Sequence, residues 1–197
     1  IPWIEYTEAD ILEHVRTVFD LAVEFDRDVS MLVDDAGDPG LRSLEALALE
    51  TIRRGWQGRA LAHHARAMAL YPTPYFQKVA ALLKQAQMGL VSDPHTGPLH
   101  ARVRDLLDEG ALVCLGQDDI SDAYYPYGRN NMLEVAFLAS HLLWMTSAEN
   151  MEELYDMVTV SAAHAMGFHN YWLREGVPAH MVVLDAPNVL EALREHA

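Results

Sequence analysis

Three pairs of polar side chains follow predicted β-strands, and their chemistry suits metal binding or proton transfer. The pairs are Asp34 with Asp35, His63 with His64, and Asp118 with Asp119. Carboxylate and imidazole groups at neighbouring strand ends can hold a divalent metal ion or move protons through a bound water. Each pair also has a plainer explanation, because Asp residues often form turns and a histidine is more often a hydrogen-bonded structural residue. As a set, the three pairs predict a site for chemistry that uses water.

The pair at 118–119 follows a short apolar run over 111–115, which predicts a buried strand. Gly116 ends the run, and the two carboxylates come directly after Gln117. In an α/β barrel this end of a strand faces the active site, so acidic residues there are commonly working residues. A simple turn explains the same local pattern.

Helical and strand-like patterns alternate before Gly128, and they supply the elements that must carry these pairs. Strands are predicted over 29–33, 59–63, 90–92 and 111–115, and helices over 11–23 (with Thr7 as its N-cap), 41–54, 75–87 and 100–109. This fourfold repetition of helix, strand and loop indicates βα units and a parallel sheet.

The pattern changes after Gly128. Residues 131–145 are apolar on nearly every face, which predicts burial or a subunit interface. A helix over 151–166, a turn with a strand over 176–185 and a short helix over 189–196 complete the predicted elements.

Composition limits the partners of the chain. The 197 residues are 51% hydrophobic, enough for a real core, and carry a net charge of −15. Such a surface repels nucleic acid and anionic membranes, so we expect neither as a partner. No apolar run is long enough to span a membrane. Cys114 is the single cysteine, which excludes an internal disulfide and fits a reducing cytoplasm.

Four βα units do not close an eight-stranded barrel, so we expect this chain to need a complement. The complement would be the N-terminal half of the barrel or a complementary chain, and we also expect a homo-oligomer. The chain opens at Ile1 without a starting Met, which is typical of a processed or excised piece.

The block Gly116-Gln117-Asp118-Asp119, continued by Asp-Ala-Tyr-Tyr-Pro-Tyr-Gly-Arg-Asn-Asn-Met-Leu-Glu-Val over 122–135, closely resembles the cytosine deaminase-like members of the amidohydrolase superfamily. The resemblance extends upstream through 62–68 and to 26–27. Downstream, 176–185 looks like the closing strand of that family, which belongs to a small β domain beside the barrel.

The resemblance implies an α/β fold, a (β/α)8 barrel of the amidohydrolase type. This chain would cover about half of the barrel over 1–175, and 176–197 would be the closing strand and helix returning toward the small β domain. The implied activity is deamination of a small, cytosine-like nitrogen heterocycle through a metal-activated water. The implied cofactor is a divalent metal, zinc or iron, which lowers the pKa of bound water toward ~7.

The resemblance also implies roles for individual residues. Asp118 would bind the metal and take a proton from the water, and His64 would orient or deprotonate that water. Asp35 stands where the family carries a glutamate that moves a proton to the ring nitrogen. Asp119 would shape the substrate pocket beside it. Tyr124 would pack against the substrate ring, although an ordinary packed tyrosine explains it equally well.

The sequence departs from the family in its metal ligands. The His-x-His pair would precede Ile1, and the third histidine ligand aligns with Leu32, which cannot bind a metal. His95, Asp34, Asp35 or His63 are candidate replacements, although a loop histidine is the plainer interpretation of His95. This departure leaves three alternatives for the function. The chain is part of a bacterial, cytoplasmic hydrolase completed by residues outside the chain, a non-catalytic or degenerate amidohydrolase-like subunit, or an α/β domain with an unknown ligand.

Overall fold

A computed structural model describes residues 8–196. Its four strands form one parallel α/β sheet in the order β1 (Val29–Val33), β2 (Ala60–His64), β3 (Gly89–Ser92) and β4 (Val113–Leu115). The helices are α1 (Glu8–Phe25), α2 (Ser43–Arg53), α3 (Thr73–Gln85), α4 (Val103–Asp108), α5 (Met132–Leu142), α6 (Ala148–Met157), α7 (Val160–Ala165) and α8 (Val189–Glu195). Short 3₁₀ turns cover Arg66–Leu70 and Pro94–Thr96.

The chain divides into two compact units. Among the described residues, unit 1 contains 8–92 and Leu99–Val113, and unit 2 contains Asp93–Pro98 and 114–196. No helix in the described part of the chain is both long and apolar enough to span a membrane.

The sheet of unit 1 has two unlike faces. β1 pairs with β2 in parallel, from Val29 opposite Ala60 to Val33 opposite His64. Side chains alternate between faces along a strand, so Met31 and its neighbours at 29 and 33 are buried while Ser30 on the other face is exposed. The buried face packs under the helices of unit 1, whereas the other face remains partly open.

Helical periodicity builds the core that supports this sheet. Ile11, Val15 and Phe19 recur every four residues along α1 and are almost completely buried. They lie on the α1 face that packs with α2, where Leu44 and Leu47 are also fully buried. Burial of each such side chain stabilises the fold by about 1.5–3 kcal/mol.

In unit 2, α5 packs against α6 and α8. The Asn131 side chain caps α5 by accepting from the backbone N–H of Leu133 at 3.0 Å, and its amide donates to the carbonyl oxygen of His196 at 2.9 Å. The apolar pattern over 131–145 is only partly buried, because Val135 lies in the core while Trp144 is exposed.

The sequence predicted the order of the elements up to residue 145 with boundaries shifted by a few residues, and the parallel sheet is confirmed. The single helix predicted over 151–166 is wrong, since α6 ends and α7 begins around Val158 and Thr159. The Thr159 hydroxyl donates to the carbonyl oxygen of Tyr155 at 2.7 Å, a side-chain bond that competes with helix continuation. The predicted N-cap Thr7 lies outside the described residues.

The strand predicted over 176–185 does not form in the described chain. Val182 and Val183 are strongly exposed there, and no described strand pairs with them. Apolar residues make a stable strand only when a neighbouring strand satisfies their backbone groups. The helix predicted after this segment is confirmed as α8, and the assignment of 176–197 to a return toward a small β domain stays a prediction.

One buried carboxylate joins the end of β1 to the start of α2. Asp34 Oδ1 accepts from the Ser43 hydroxyl at 2.5 Å and from the backbone N–H groups of Ser43 at 2.7 Å and Leu44 at 3.3 Å. Its Oδ2 accepts from the Tyr71 hydroxyl. The Asp34 N–H in turn donates to Ser43 Oγ at 2.7 Å. The carboxylate therefore caps α2 from outside the helix.

We expect Asp34→Asn to lower the free energy of unfolding by about 3 kcal/mol, because the amide nitrogen cannot accept the bonds that a carboxylate oxygen accepts. Chemical denaturation measures the change. Asp108→Asn on the exposed end of α4 is the matched control, with an expected change within about 0.5 kcal/mol. Equal stabilities of the two variants would contradict the role given to Asp34.

Candidate active site

Several strand ends carry left-handed backbone at residues other than glycine. Asp34 has φ 49°, His64 has φ 69° and Asp118 has φ 62°; Ala65, next to His64, has φ 49°. Such conformations cost about 1–3 kcal/mol each and persist where the surrounding structure holds them, often at functional sites. Three of these four residues belong to the polar pairs that the sequence singled out.

The first group of polar side chains lies at the ends of β1 and β2 in unit 1, and we call it the His64 cluster (Asp35, His64, Arg66). His64 is buried, with 6% of its surface exposed. Asp35 Oδ1 lies 3.8 Å from His64 Nδ1 and 3.0 Å from Arg66 Nε. Arg66 Nη2 lies 3.4 Å from the same His64 Nδ1.

The neighbouring members of the two pairs have other surroundings. Asp34 is committed to the cap of α2, which favours a structural role over metal binding. His63 Nε2 hydrogen-bonds with Ser30 Oγ at 2.8 Å on the more open sheet face. Leu32 lies beside His63 in the strand register and offers no ligand atom.

The second group lies in unit 2, and we call it the Asp118 cluster (Asp93, Asp118, Asp119, Asp122). Carboxylate oxygens of Asp93 and Asp118 lie within 4.8 Å of each other. Asp93 is buried at the end of β3, and it accepts from the Thr96 hydroxyl. Two carboxylates this close favour a shared cation or a shared proton.

Sequence reasoning did not select Asp93 or Arg66. Asp93 had a usable signal, because Ser92-Asp93-Pro94 places it directly after a predicted strand, as in the other pairs. Arg66 had none, since only the fold turns it back onto His64.

The carboxylates of the Asp118 cluster differ in their electrostatics. Burial and the neighbouring carboxylates Asp118 and Asp122 together raise the pKa of Asp119 to about 6. The pKa of Asp122 is lowered because its Oδ1 accepts from the backbone N–H groups of Tyr125 at 2.8 Å and Tyr124 at 2.9 Å. The loop therefore carries both a carboxyl that protonates readily and one held as the anion.

Tyr124 is not a packed core residue, because 67% of its surface is exposed. Its hydroxyl donates to the carbonyl oxygen of Thr96 at 3.2 Å, which leaves a ring face open. His95 Nε2 lies 3.0 Å from the carbonyl oxygen of Gln117, and the ring packs edge-on against Tyr125. These contacts support the interpretation of His95 as a loop residue.

Gly128 sets the path of the loop that carries Asp119. A Cβ atom at Gly128 would lie 2.4 Å from the carbonyl oxygen of Asp119 and 3.0 Å from the Cα atom of Ile120. Both are backbone atoms, which cannot rotate away as a side chain does. The motif Pro-Tyr-Gly thus needs glycine at 128, because a larger residue would collide with the backbone of Asp119 and Ile120.

Unit 2 also contains a cavity of about 370 Å³ between α5, α6 and α8, lined mainly by apolar side chains such as Phe137, Met145 and Leu154. None of the predicted catalytic or substrate-binding residues lines it. Its lining suits hydrocarbon packing rather than the proton chemistry of the two clusters.

Known proteins resemble this chain in sequence and in fold. The sequence model described as the amidohydrolase family matches residues 1–196. N-isopropylammelide isopropyl amidohydrolase of Pseudomonas sp. (strain ADP) is 29% identical over 169 residues, which are 85% of this chain and 42% of that protein.

Two solved structures superpose closely. A 5-methylcytosine deaminase from Klebsiella pneumoniae, liganded with 5-fluorocytosine, matches with a TM-score of 0.91 and 33% identity over 98% of this chain and 50% of that one. N-isopropylammelide isopropylaminohydrolase from Burkholderia multivorans matches with a TM-score of 0.88 and 25% identity over 95% of this chain and 48% of that one. The chain thus spans about half the length of the relatives it matches.

We expect Gly128→Ala to displace the backbone at 119–121 and to destabilise unit 2 by about 1–3 kcal/mol, as overpacking does. Hydrogen exchange of the amides at 119–121 and a thermal melt measure the effect. Gly40→Ala is the matched control, because its Cβ would meet only the Asp38 side chain, at 3.1 Å. Unchanged exchange at 119–121 would show that the close approach is not a constraint.

Proposed function

The chain belongs to the amidohydrolase family, and we propose that it forms part of a metal-dependent hydrolase that deaminates a small nitrogen heterocycle. The observation that carries the proposal is the position of Asp118. This residue follows β4, its own backbone is left-handed, and a carboxylate oxygen of the buried Asp93 lies within 4.8 Å of its carboxylate. Relatives named for 5-methylcytosine and N-isopropylammelide support a substrate with an amino-substituted ring.

The donor atoms present fit a divalent metal in part. We propose that Asp118, with Asp93 beside it, would hold the ion, because paired carboxylates are suitable ligands for zinc or iron. The ion would supply Lewis acidity, which lowers the pKa of bound water to about 7. Leu32 supplies no ligand, so further ligands must come from outside this set.

In the proposed reaction, different side chains of this chain carry out the separate proton transfers. Asp118 would take a proton from the attacking water, and His64 would orient or deprotonate that water. Asp35 would deliver a proton to the ring nitrogen, which makes the ring carbon more open to attack by the water. The proton that Asp118 takes from the water would then pass to the amine, which leaves as the neutral amine or ammonia. Asp119 and Tyr124 bind the heterocycle, the latter with the open face of its ring.

The remaining ligands and the missing half of the fold are proposed to come from the N-terminal half of the barrel or from a complementary chain. The partly open sheet face at Ser30, Leu32 and His63 supports this, because a barrel covers that face with its own interior side chains. A homo-oligomer and a cytoplasmic location are further proposals.

A second candidate is a non-catalytic subunit of the same fold. Leu32 at the position of a histidine ligand favours it, whereas the cluster of Asp93 and Asp118 favours the enzyme. Metal content and turnover separate the two.

We expect elemental analysis of the full-length protein to find about one zinc or iron per chain. Asp118→Asn should remove the metal and lower kcat by at least ~10³-fold, with the melting temperature nearly unchanged, since it removes a ligand and a proton acceptor. The control is Asp108→Asn on the exposed end of α4, outside both clusters, which should leave metal content and kcat unchanged. Full turnover by Asp118→Asn would remove Asp118 from the mechanism, and a metal-free wild type would favour the non-catalytic subunit.

Tyr124→Ala should raise KM for an amino-substituted heterocycle about tenfold with little change in kcat, because ring packing is lost in both ground and transition states. Amine or ammonia release measures both constants. Tyr124→Phe, which keeps the ring and loses only the bond to Thr96, should keep KM within about threefold of the wild type. An unchanged KM in Tyr124→Ala would exclude contact with the substrate.

A further inference from the structure

Arg66 contacts both of the predicted proton-transfer residues of unit 1, Asp35 and His64. Its Nε lies 3.0 Å from Asp35 Oδ1, and its Nη2 lies 3.4 Å from His64 Nδ1. The side chain of Arg66 is largely buried, with 11% of its surface exposed. A largely buried guanidinium is held by its contacts, so its position relative to these two groups is defined by the fold.

The backbone explains why residues two apart in sequence meet here. His64 and Ala65 both have left-handed backbone, and this turns the chain sharply after β2 into the 3₁₀ turn that starts at Arg66. The turn is tied to the end of β1 by Ala65 N–H donating to the Val33 carbonyl at 3.0 Å. A second bond of 3.0 Å runs from Ala67 N–H to the Asp34 carbonyl.

The chemistry of Arg66 then decides which nitrogen of His64 carries the proton. A guanidinium has five N–H donors and no acceptor. The contact with Nδ1 is favourable only when Nδ1 is unprotonated and accepts, so the proton of the neutral imidazole lies on Nε2.

Asp35 favours the opposite tautomer, since a carboxylate close to Nδ1 would accept a hydrogen bond from a protonated Nδ1. Its Oδ1 is 3.8 Å from Nδ1, beyond hydrogen-bond distance, and 3.0 Å from Arg66 Nε. Arg66 therefore draws the carboxylate away from the imidazole and takes its place at Nδ1. Asp35 therefore does not accept from Nδ1 in the way that the carboxylate of an Asp–His pair does.

We propose that Arg66 is a positioning residue that fixes His64 as the Nε2–H tautomer, so that His64 donates a hydrogen bond and does not act as the base. The inference rests on the proposed function for its consequence, because it decides between the two roles open to His64, orienting or deprotonating the water. With His64 as donor, proton removal belongs to Asp118 and proton delivery to Asp35, which Arg66 also holds.

The test is nitrogen NMR of the full chain labelled with ¹⁵N-histidine, without substrate and at a pH where imidazole is neutral. The His64 signals are assigned by their loss in His64→Gln, and His63→Gln, which changes the neighbouring histidine outside the cluster, is the control. We expect an unprotonated Nδ1 and a protonated Nε2 in the wild type. A protonated Nδ1 with bare Nε2 would overturn the proposal without any variant of Arg66.

Two variants test the cause. Arg66→Met removes the donors at similar volume, so Asp35 becomes free to accept from Nδ1–H, and we expect the tautomer to reverse. Arg66→Lys keeps a group that can only donate, so the Nε2–H tautomer should remain. A tautomer unchanged in Arg66→Met would overturn the proposal, as would reversal in Arg66→Lys.

Kinetics give a second readout that a merely structural role would not move. Arg66→Met should lower kcat by about 10²-fold with KM within about twofold, and Arg66→Lys should recover part of kcat. A change in KM alone would overturn the proposal. Because the NMR measurement needs no turnover, a protein with the expected tautomer and no hydrolase activity would contradict the proposed function and leave the assignment of the tautomer intact.

Discussion

The capping of α2 by the buried Asp34 carboxylate is the interaction on which the rest of unit 1 depends. Asp34 ends β1, accepts from Ser43, Leu44 and Tyr71, and fixes the distance between the strand end and the helix. Its left-handed backbone directs the next residue, Asp35, toward His64 and Arg66. Without these bonds a buried charge would lack partners, a cost that few folds of this size tolerate.

Adjacent residues of like chemistry therefore have unlike tasks. Asp34 serves the fold, whereas Asp35 contacts His64 and Arg66. His63 hydrogen-bonds with Ser30 on one face of the sheet, while His64 turns into the cluster. Alternation of side chains along a strand, followed by left-handed turns at its end, separates the two members of each pair.

The chain has the fold of an amidohydrolase over about half the length of its relatives. Leu32 departs from the expected histidine ligand, and the structure adds Asp93, a buried carboxylate close to Asp118 within unit 2. With Asp93 present, the proposed metal would have two carboxylate ligands and not one. The enzyme then needs only the remaining ligands from outside this pair, whereas the non-catalytic subunit would keep the pair without a metal.

The sequence by itself determined the parallel sheet, the order of its strands and the acidic and imidazole residues at their ends, because short apolar runs, glycine stops and a specific motif are local signals. It failed at 176–185, where a strand-like run lacks a described partner, and at 151–166, where a threonine hydroxyl competes with the helix. Only the tertiary structure decided that Arg66 folds back onto His64. That contact depends on two left-handed residues and a partly buried ion pair, which arise from the packing of distant elements and leave no periodic trace in the chain.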